Sequence, residues 1–381
     1  MTVEASVVRT MEAFAALAGE WDALAARHRQ PLLEHDWFLS CARALHRPDA
    51  LRVVAVREGG VLCAAAPLAV RRERGIERLE LLGMRVLNEP SGVIYRDEAA
   101  LAALFDAVRR LGLPVVLQRV DEASPVERVA REALGSRSWL IGKATGPTVR
   151  VPLDSEWATF QARLSGRFRK WLRRARTLAE AEGPVRIDKI EPDAGAVDGH
   201  LAAFATLEAA GWKGRRQSAL LMKAGLGAFF TDYARRAAGR GTLRIWYLHV
   251  GARLAAAQVS LEAHGVLWVL KIAYDETLAR LSPGLQLTSA VLEDAVRLRL
   301  TACEFIGSAD EWKQRWRGEL RGLRLVLIYP RSPRGAAALA VDAAAHASRA
   351  LRARFARRAA SASAAAADHD TSAAEPAGGP A

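Results

Sequence analysis

From Phe38 to Arg72 the apolar and polar positions spell the end of an amphipathic helix, an apolar strand Leu51 to Arg57, a turn at Gly59 and a returning apolar strand. The same text recurs 192 positions later, from Phe230 to His264, without a gap. Nine of the 35 paired positions are identical: Phe38/Phe230, Ala42/Ala234, Arg43/Arg235, Leu51/Leu243, Arg52/Arg244, Gly59/Gly251, Leu62/Leu254, Ala64/Ala256 and Ala65/Ala257. Six of the nine are not alanine, so alanine abundance does not explain the match. So long a period excludes a solenoid and predicts one mixed α and β unit used twice.

Around this unit the first copy continues with a short strand Arg78 to Leu82, a helix from about Glu98 to Leu111 and the apolar run Pro114 to Gln118. The second copy opens with a strand Val149 to Leu153 and one long helix from about Glu156 to Glu182, stopped by Gly183 and Pro184. A third strand Gly265 to Tyr274, the turn Ser282-Pro283-Gly284, a helix to about Leu300 and strands Ala302 to Ile306 and Leu323 to Tyr329 complete it. From Gly335 to Ala381, 22 of 47 residues are alanine, which reads as a basic helix over about 336–360 and then a solvated, partly disordered appendage. The pattern predicts domains at 1–147 and 148–334 with a tail at 335–381.

Composition changes this picture little: 381 residues, 51% hydrophobic and 25% charged, describe an ordinary globular chain with ample core. Charge changes it more, because a formal +13 makes an anionic partner the expectation. The longest apolar run, Val61 to Val70, contains Pro67 and is half the about 20 residues a membrane helix needs. The first residues lack the basic-then-apolar layout of a signal peptide, so a cytoplasmic location is expected. Cys41, Cys63 and Cys303 have neither paired spacing nor neighbouring His ligands, so they are expected to be buried apolar residues and no metal is expected. GxSxG, HExxH and GxxxxGK[ST] are all missing from the sequence, which argues against hydrolase, zincin and P-loop chemistry.

Four clusters carry candidate chemistry. Ser282-Pro283-Gly284 opens a helix after a strand, with Ser282 placed to cap it and the amides onward through Leu285 and Gln286 placed to meet a phosphate. Between Arg163 and Arg176 stand seven cations and no acid, including the like-charged i,i+4 pairs Arg169/Arg173 and Lys170/Arg174, so an anion should compensate them. The loop Gly211-Trp212-Lys213-Gly214 joins an aromatic ring and cations between two helices. Lys271, Tyr274 and Asp275 end the third strand, with Lys313 and Trp316 after the next one, and a carboxylate near a phenol suits acid and base work in acyl transfer. Strict alternation sets Tyr274 on the face opposite Lys271 and Asp275.

These segments, in this order over about Trp157 to Trp316, resemble the GNAT-like acyltransferases of the CelD (cellulose biosynthesis) type, relatives of the FemAB aminoacyltransferases. The resemblance rests on Arg167-Phe168-Arg169-Lys170-Trp171-Leu172-Arg173-Arg174, on Gly211-Trp212-Lys213-Gly214, on Lys271-Ile272-Ala273-Tyr274-Asp275-Glu276 leading to Ser282-Pro283-Gly284, and on Trp312-Lys313 with Trp316. The sequence departs from the GNAT pattern in lacking an R/Q-x-x-G-x-G/A loop, and Glu304-Phe305 stands where the family carries Asp before an aromatic. The resemblance implies an α/β fold of two tandem GNAT-like domains, each a mixed sheet flanked by helices, and transfer from acetyl-CoA or another acyl-CoA to a small-molecule or glycan-precursor acceptor. It implies donor contacts at Ser282, Pro283, Gly284, Leu285 and Gln286, acceptor or anion contacts at Arg169, Lys170, Arg173, Trp212, Lys213 and Trp316, and chemistry at Lys271, Tyr274, Asp275 and Lys313. Two alternatives stand beside it: an aminoacyl-tRNA donor as in FemAB relatives, and a non-catalytic scaffold peripheral to an anionic membrane. No DNA partner is expected.

Overall fold

A computed structural model describes residues 2–210, 225–349 and 351–352. Its described residues form a mixed α/β fold with fourteen strands in two sheets. The smaller sheet has the order β1 (Val3–Val8), β2 (Val53–Glu58), β3 (Val61–Ala66) and β6 (Ile94–Tyr95). The larger runs β4 (Leu68–Glu73), β5 (Ile76–Leu81), β7 (Val115–Asp121), β14 (Glu319–Pro330), β8 (Ser138–Pro152), β13 (Ala302–Phe305), β12 (Val266–Tyr274), β11 (Arg253–Ala263), β10 (Leu243–Val250) and β9 (Val185–Ile190).

The internal repeat is a geometric repeat. Helix His35–Leu45 of the first copy packs on helix Leu226–Gly239 of the second, and positions equivalent under the 192-residue shift touch each other. Ser40 donates a hydrogen bond of 2.6 Å to Asp232. Trp37 meets Phe229 edge to face at 5.0 Å. Contact between equivalent positions is the mark of a two-fold axis, which therefore passes between these helices. The hairpins after them match in detail: β2–β3 shifts register between Val56 and Arg57, and β10–β11 between Leu248 and His249, the same place in both copies. Gly59 and Gly251 turn the two hairpins with φ of 57° and 58°. A hydrophobic core drawing on both halves, from Phe14 and Trp21 through Trp37 to Phe230 and Trp268, seals the contact.

The copies diverge at Pro67, where the second copy has Val259. Pro67 cannot donate to a ladder, so the first copy's strand breaks into β3 and β4 and changes sheet, while β11 runs unbroken. Each copy still builds a parallel pair joined through a helix: β5 and β7 around helix Glu98–Arg109, and β12 and β13 around helix Pro283–Arg297. The closing strands are exchanged. The strand expected to open the second copy, Val149 to Leu153, is instead the end of β8, which continues out of the first half and pairs there with β13 of the second, and β14, which ends the second, pairs with β7 of the first. β8 therefore runs unbroken across position 147.

Three expectations on the elements need correction. The long helix is two, Trp157–Arg163 and Gly166–Glu182, because Leu164 is extended and the Ser165 hydroxyl accepts from Phe168 N at 3.2 Å to cap a new start. Strand β14 begins four residues before the apolar run that announced it, since pairing with β8 continues through Glu319 and Arg321. The tail is not solvated from its beginning: a helix starts at Pro333, Ala338 is buried, and Asp342 accepts two hydrogen bonds from the buried Arg78 of β5 and one of 2.7 Å from Tyr329. The three cysteines are buried and free. Among the described residues no helix is long and apolar enough to cross a membrane.

Candidate active site

Strands β12 and β13 pair only over Val266–Val269 and Ala302–Phe305. Beyond that β12 continues to Tyr274 while the other strand turns away after Phe305, and the gap opens into a cavity of about 540 Å³. That volume lies in the range of small-molecule sites. Its walls include Lys271, Ile272 and Tyr274 of β12, Phe305 through Ser308, Trp312 and Lys313, Trp171 of the basic helix, and Ser282 through Leu285 at the start of helix Pro283–Arg297. One wall residue, Glu89, comes from the first half.

The structure thus brings together Lys271, Tyr274, Lys313, Ser282, Pro283, Gly284 and Leu285. A register shift against β11 leaves Leu270 unpaired as a bulge ahead of Lys271; Lys271, whose Nζ lies 5.2 Å from the Phe230 ring centre, and Tyr274 still differ in face by alternation, and both line the cavity. The Tyr274 ring lies over Gly284, 3.4 Å from where a Cβ would stand, so the absent side chain is what lets strand end and helix mouth meet. Lys313 is buried, and its Nζ donates to the carbonyls of Ile306 at 2.9 Å and Ser308 at 2.7 Å, with Asp310 at 3.5 Å. Burial lowers its pKa, opposed mainly by Asp310 and Glu89.

Other expected contacts are corrected. Ser282 does not cap the helix: its backbone is left-handed (φ 50°) because it ends the preceding 3-10 turn Glu276–Leu281, and its side chain makes no capping bond. The Leu285 and Gln286 amides are spent on the Ser282 carbonyl at 3.0 and 3.1 Å. Pro283 has no amide hydrogen, so Gly284 supplies the free N–H of this first turn among the described residues. The Gln286 side chain is buried and donates to Ala175 and Leu281 carbonyls, away from the cavity. Asp275 caps the 3-10 turn: burial alone would raise its pKa, yet hydrogen bonds from Thr277 and the Arg253 ion pair leave it below the usual range. Trp316 is a core residue, 0% exposed and edge to face with Phe168 at 5.0 Å. Glu304 faces away from the cavity, paired with Arg150 at 2.6 Å and Arg321 at 3.0 Å.

Within the basic cluster, Arg163 at the end of helix Trp157–Arg163 pairs with Asp154, and Arg176 on helix Gly166–Glu182 pairs with Glu180. Among the described residues no carboxylate pairs with Arg167, Arg169, Lys170, Arg173 or Arg174, and Arg169 Nε is buried without a partner. Arg169, Lys170 and Arg173 do not line the cavity, but Trp171 between them does, with Arg315 over its ring at 4.9 Å. Trp212 and Lys213 lie outside the described residues.

Sequence reasoning missed Glu89. It follows Asn88, whose left-handed φ of 54° turns the chain, and the segment is tied to β7 by Ser91 N donating to Arg119 O at 3.2 Å. Its carboxylate Oε2 is buried and has no hydrogen-bond partner. Burial pushes the carboxyl up to about 7, against the pull of Lys271, Arg119, Lys313 and the Gly307 backbone. A carboxylate in an Asn-Glu-Pro turn looks like any loop charge in sequence; the signal lies in the fold.

Comparison with known proteins agrees with this geometry. Residues 166–314 match the family model described as an acetyltransferase (GNAT) domain. Among solved structures the chain is similar to FemX (TM-score 0.57, 13% identity, covering 85% of this chain and 96% of that one). It is also similar to the C-terminal DUF2156 domain of an Agrobacterium fabrum protein described as a lysylphosphatidylglycerol synthetase (TM-score 0.55, 12% identity, 87% and 96% covered). A third is L-PGS from Bacillus licheniformis (TM-score 0.50, 13% identity, 85% and 91% covered). At such identities the likeness is one of fold. No curated protein sequence matches the chain. The parallel pair that parts over a helix mouth lies within the segment that matches the GNAT-type acetyltransferase domain, and this match supports an acyltransferase.

Proposed function

We propose that the chain is an acyl-CoA-dependent N- or O-acyltransferase of the CelD type, acting on an amine or hydroxyl of a sugar, lipid-linked or polysaccharide precursor. The observation that carries this reading is the cavity between the parted ends of β12 and β13, closed on one side by the start of helix Pro283–Arg297. The free Gly284 amide and the positive end of the helix dipole suit a donor phosphate there. Trp171, Phe305 and Trp312 offer flat apolar walls, and Lys271, Lys313 and Tyr274 line the space where an acceptor would meet the thioester. The donor supplies an activated acyl group; the chain's own task is to bind both partners, exclude water and manage one proton. Titration calorimetry with acetyl-CoA and longer acyl-CoAs tests this, and a protein that binds no thioester refutes it.

A second reading keeps the fold and takes an aminoacyl-tRNA as donor, as FemAB relatives do. It is favoured by the five cations of the basic helix that have no carboxylate partner among the described residues, next to a wall of the cavity. Phosphate contacts by such a face give an affinity that falls steeply with salt. tRNA retained at low salt and released as salt rises, with no thioester binding, would select this reading over the first.

A further inference from the structure

We propose that Glu89, supplied by the first half of the chain, is the general base of the transfer catalysed in the second half. This deepens the acyl-CoA reading and rests on it. Two carboxylates line the cavity, Glu89 and Asp310. Asp310 is 54% exposed, so water already solvates it. Asp275 is saturated by Thr277 and Arg253, and Glu304 by Arg150 and Arg321 on the other sheet face. Glu89 alone among these four presents a buried carboxylate oxygen with no hydrogen-bond partner.

Its placement is built rather than incidental. At Gly307 a Cβ would stand 3.6 Å from Lys313 Nζ and 3.9 Å from Glu89 Oε2, so the backbone of the cavity wall passes between base and ammonium. Arg119 fixes that backbone from behind, donating to the Gly307 carbonyl at 2.5 Å and to the Gly146 carbonyl at 3.3 Å. A smaller cavity of about 150 Å³ lies on the other face of the sheet. Alternation separates the two, Trp268 and Glu304 lining the smaller one and Val269 and Phe305 the larger, while Ile306 lines both. Glu89 faces the larger cavity and its neighbours Pro90 and Ser91 the smaller, which puts the carboxylate where the two faces of the sheet meet. The first copy's counterpart of helix Pro283–Arg297 is helix Glu98–Arg109, which starts nine residues after Glu89. The stretch between β5 and that helix delivers the Glu89 side chain to the second half's cleft.

The step balances without another reactant. A proton leaves the acceptor amine for the Glu89 carboxylate, directly or through one water, as the nitrogen forms a C–N bond to the thioester carbonyl. The C–S bond breaks, and the CoA sulfur leaves as the thiol by taking that proton from Glu89. Three cations face the carboxylate, Lys271, Lys313 and Arg119, and oppose the effect of burial, which leaves it poised near neutrality.

The test compares the full-length protein with E89Q. The expected result is acetyl-CoA affinity equal in both by calorimetry, with acetyl transfer to glucosamine, followed as free thiol, lower by about 10²–10⁴-fold in E89Q. The wild-type rate should rise with pH through about 7, and that limb should vanish in E89Q. Equal transfer rates with binding intact overturn the base and leave the donor reading standing. No thioester binding by the wild type overturns both. Infrared difference spectra of the ligand-free proteins give a readout independent of the acceptor, and they decide the matter if glucosamine is not acetylated. A carboxylic-acid band present only in the wild type, titrating near 7, supports the proposal, and a Glu89 that stays ionised down to about pH 5 overturns it.

Discussion

Replacing Asp342 tests whether the alanine-rich segment is part of the folded body. The Arg78 side chain is 2% exposed, and its guanidinium is held by both Asp342 oxygens, one of them at 2.9 Å, while the Tyr329 hydroxyl adds a bond of 2.7 Å. Removing one member of a buried pair leaves an uncompensated charge and costs about 3–5 kcal/mol. Asp342 is 21% exposed, so water compensates Arg78 in part and the lower figure, about 3 kcal/mol, is expected for Asp342→Ala. At about 2 °C per kcal/mol for a chain of this size, the melting temperature falls by about 6 °C. The pH dependence has a definite sign. Burial would raise the Asp342 carboxyl, yet Arg78, Tyr329 and Arg74 leave it below its unfolded value. Its contribution is therefore complete above an unfolded pKa of about 3.9 and is lost as pH falls through the folded value, so wild type and variant should converge in acid. Calorimetric melts from neutral to acid pH measure both quantities. A shift under about 1 °C at neutral pH would refute the docked-helix account, and a difference that widens in acid would refute the linkage.

Trp316→Ala should cost about 3–5 kcal/mol in urea denaturation, because the ring is buried against Phe168, while leaving acetyl-CoA affinity unchanged because it does not line the cavity. Arg173→Glu turns the like-charged Arg169/Arg173 pair into an attractive one, so the helix should gain about 0.3–0.5 kcal/mol in stability. The same change should weaken binding of total tRNA, used as the polyanion probe, and flatten its dependence on salt; an unchanged affinity and slope would exclude this face from anion binding.

The repeat was legible because its signal is local and doubled: a helix, a strand opening with Leu-Arg, a glycine turn and a return. What lay beyond it depended on pairing. Nothing in the run Leu323 to Tyr329 announces that the strand joins β7 of the other half, since an apolar alternation names a face and not a neighbour. The cavity was legible in its parts, because Lys271, Tyr274, Lys313 and the Ser282-Pro283-Gly284 turn bound a parallel pair that must separate somewhere. Ser282 was misread as a cap because the preceding segment, Glu276–Leu281, is itself a helical turn that ends there. Trp316 was misread because an aromatic beside a basic segment looks alike whether it meets a ligand or the core. Glu89 was invisible for a different reason: its partners, Lys271 and Lys313, lie 182 and 224 residues away along the chain.

The exchange of closing strands makes the two halves inseparable in practice. Severed at the middle of the chain, each piece would keep an open seam where its sheet expects a strand held by the other, and an unpaired edge of that kind invites aggregation. One half of an ordinary tandem protein is free to drift away or be discarded; here the loss of either would leave the other with an unpaired edge. Fusion and folding are a single property of this chain.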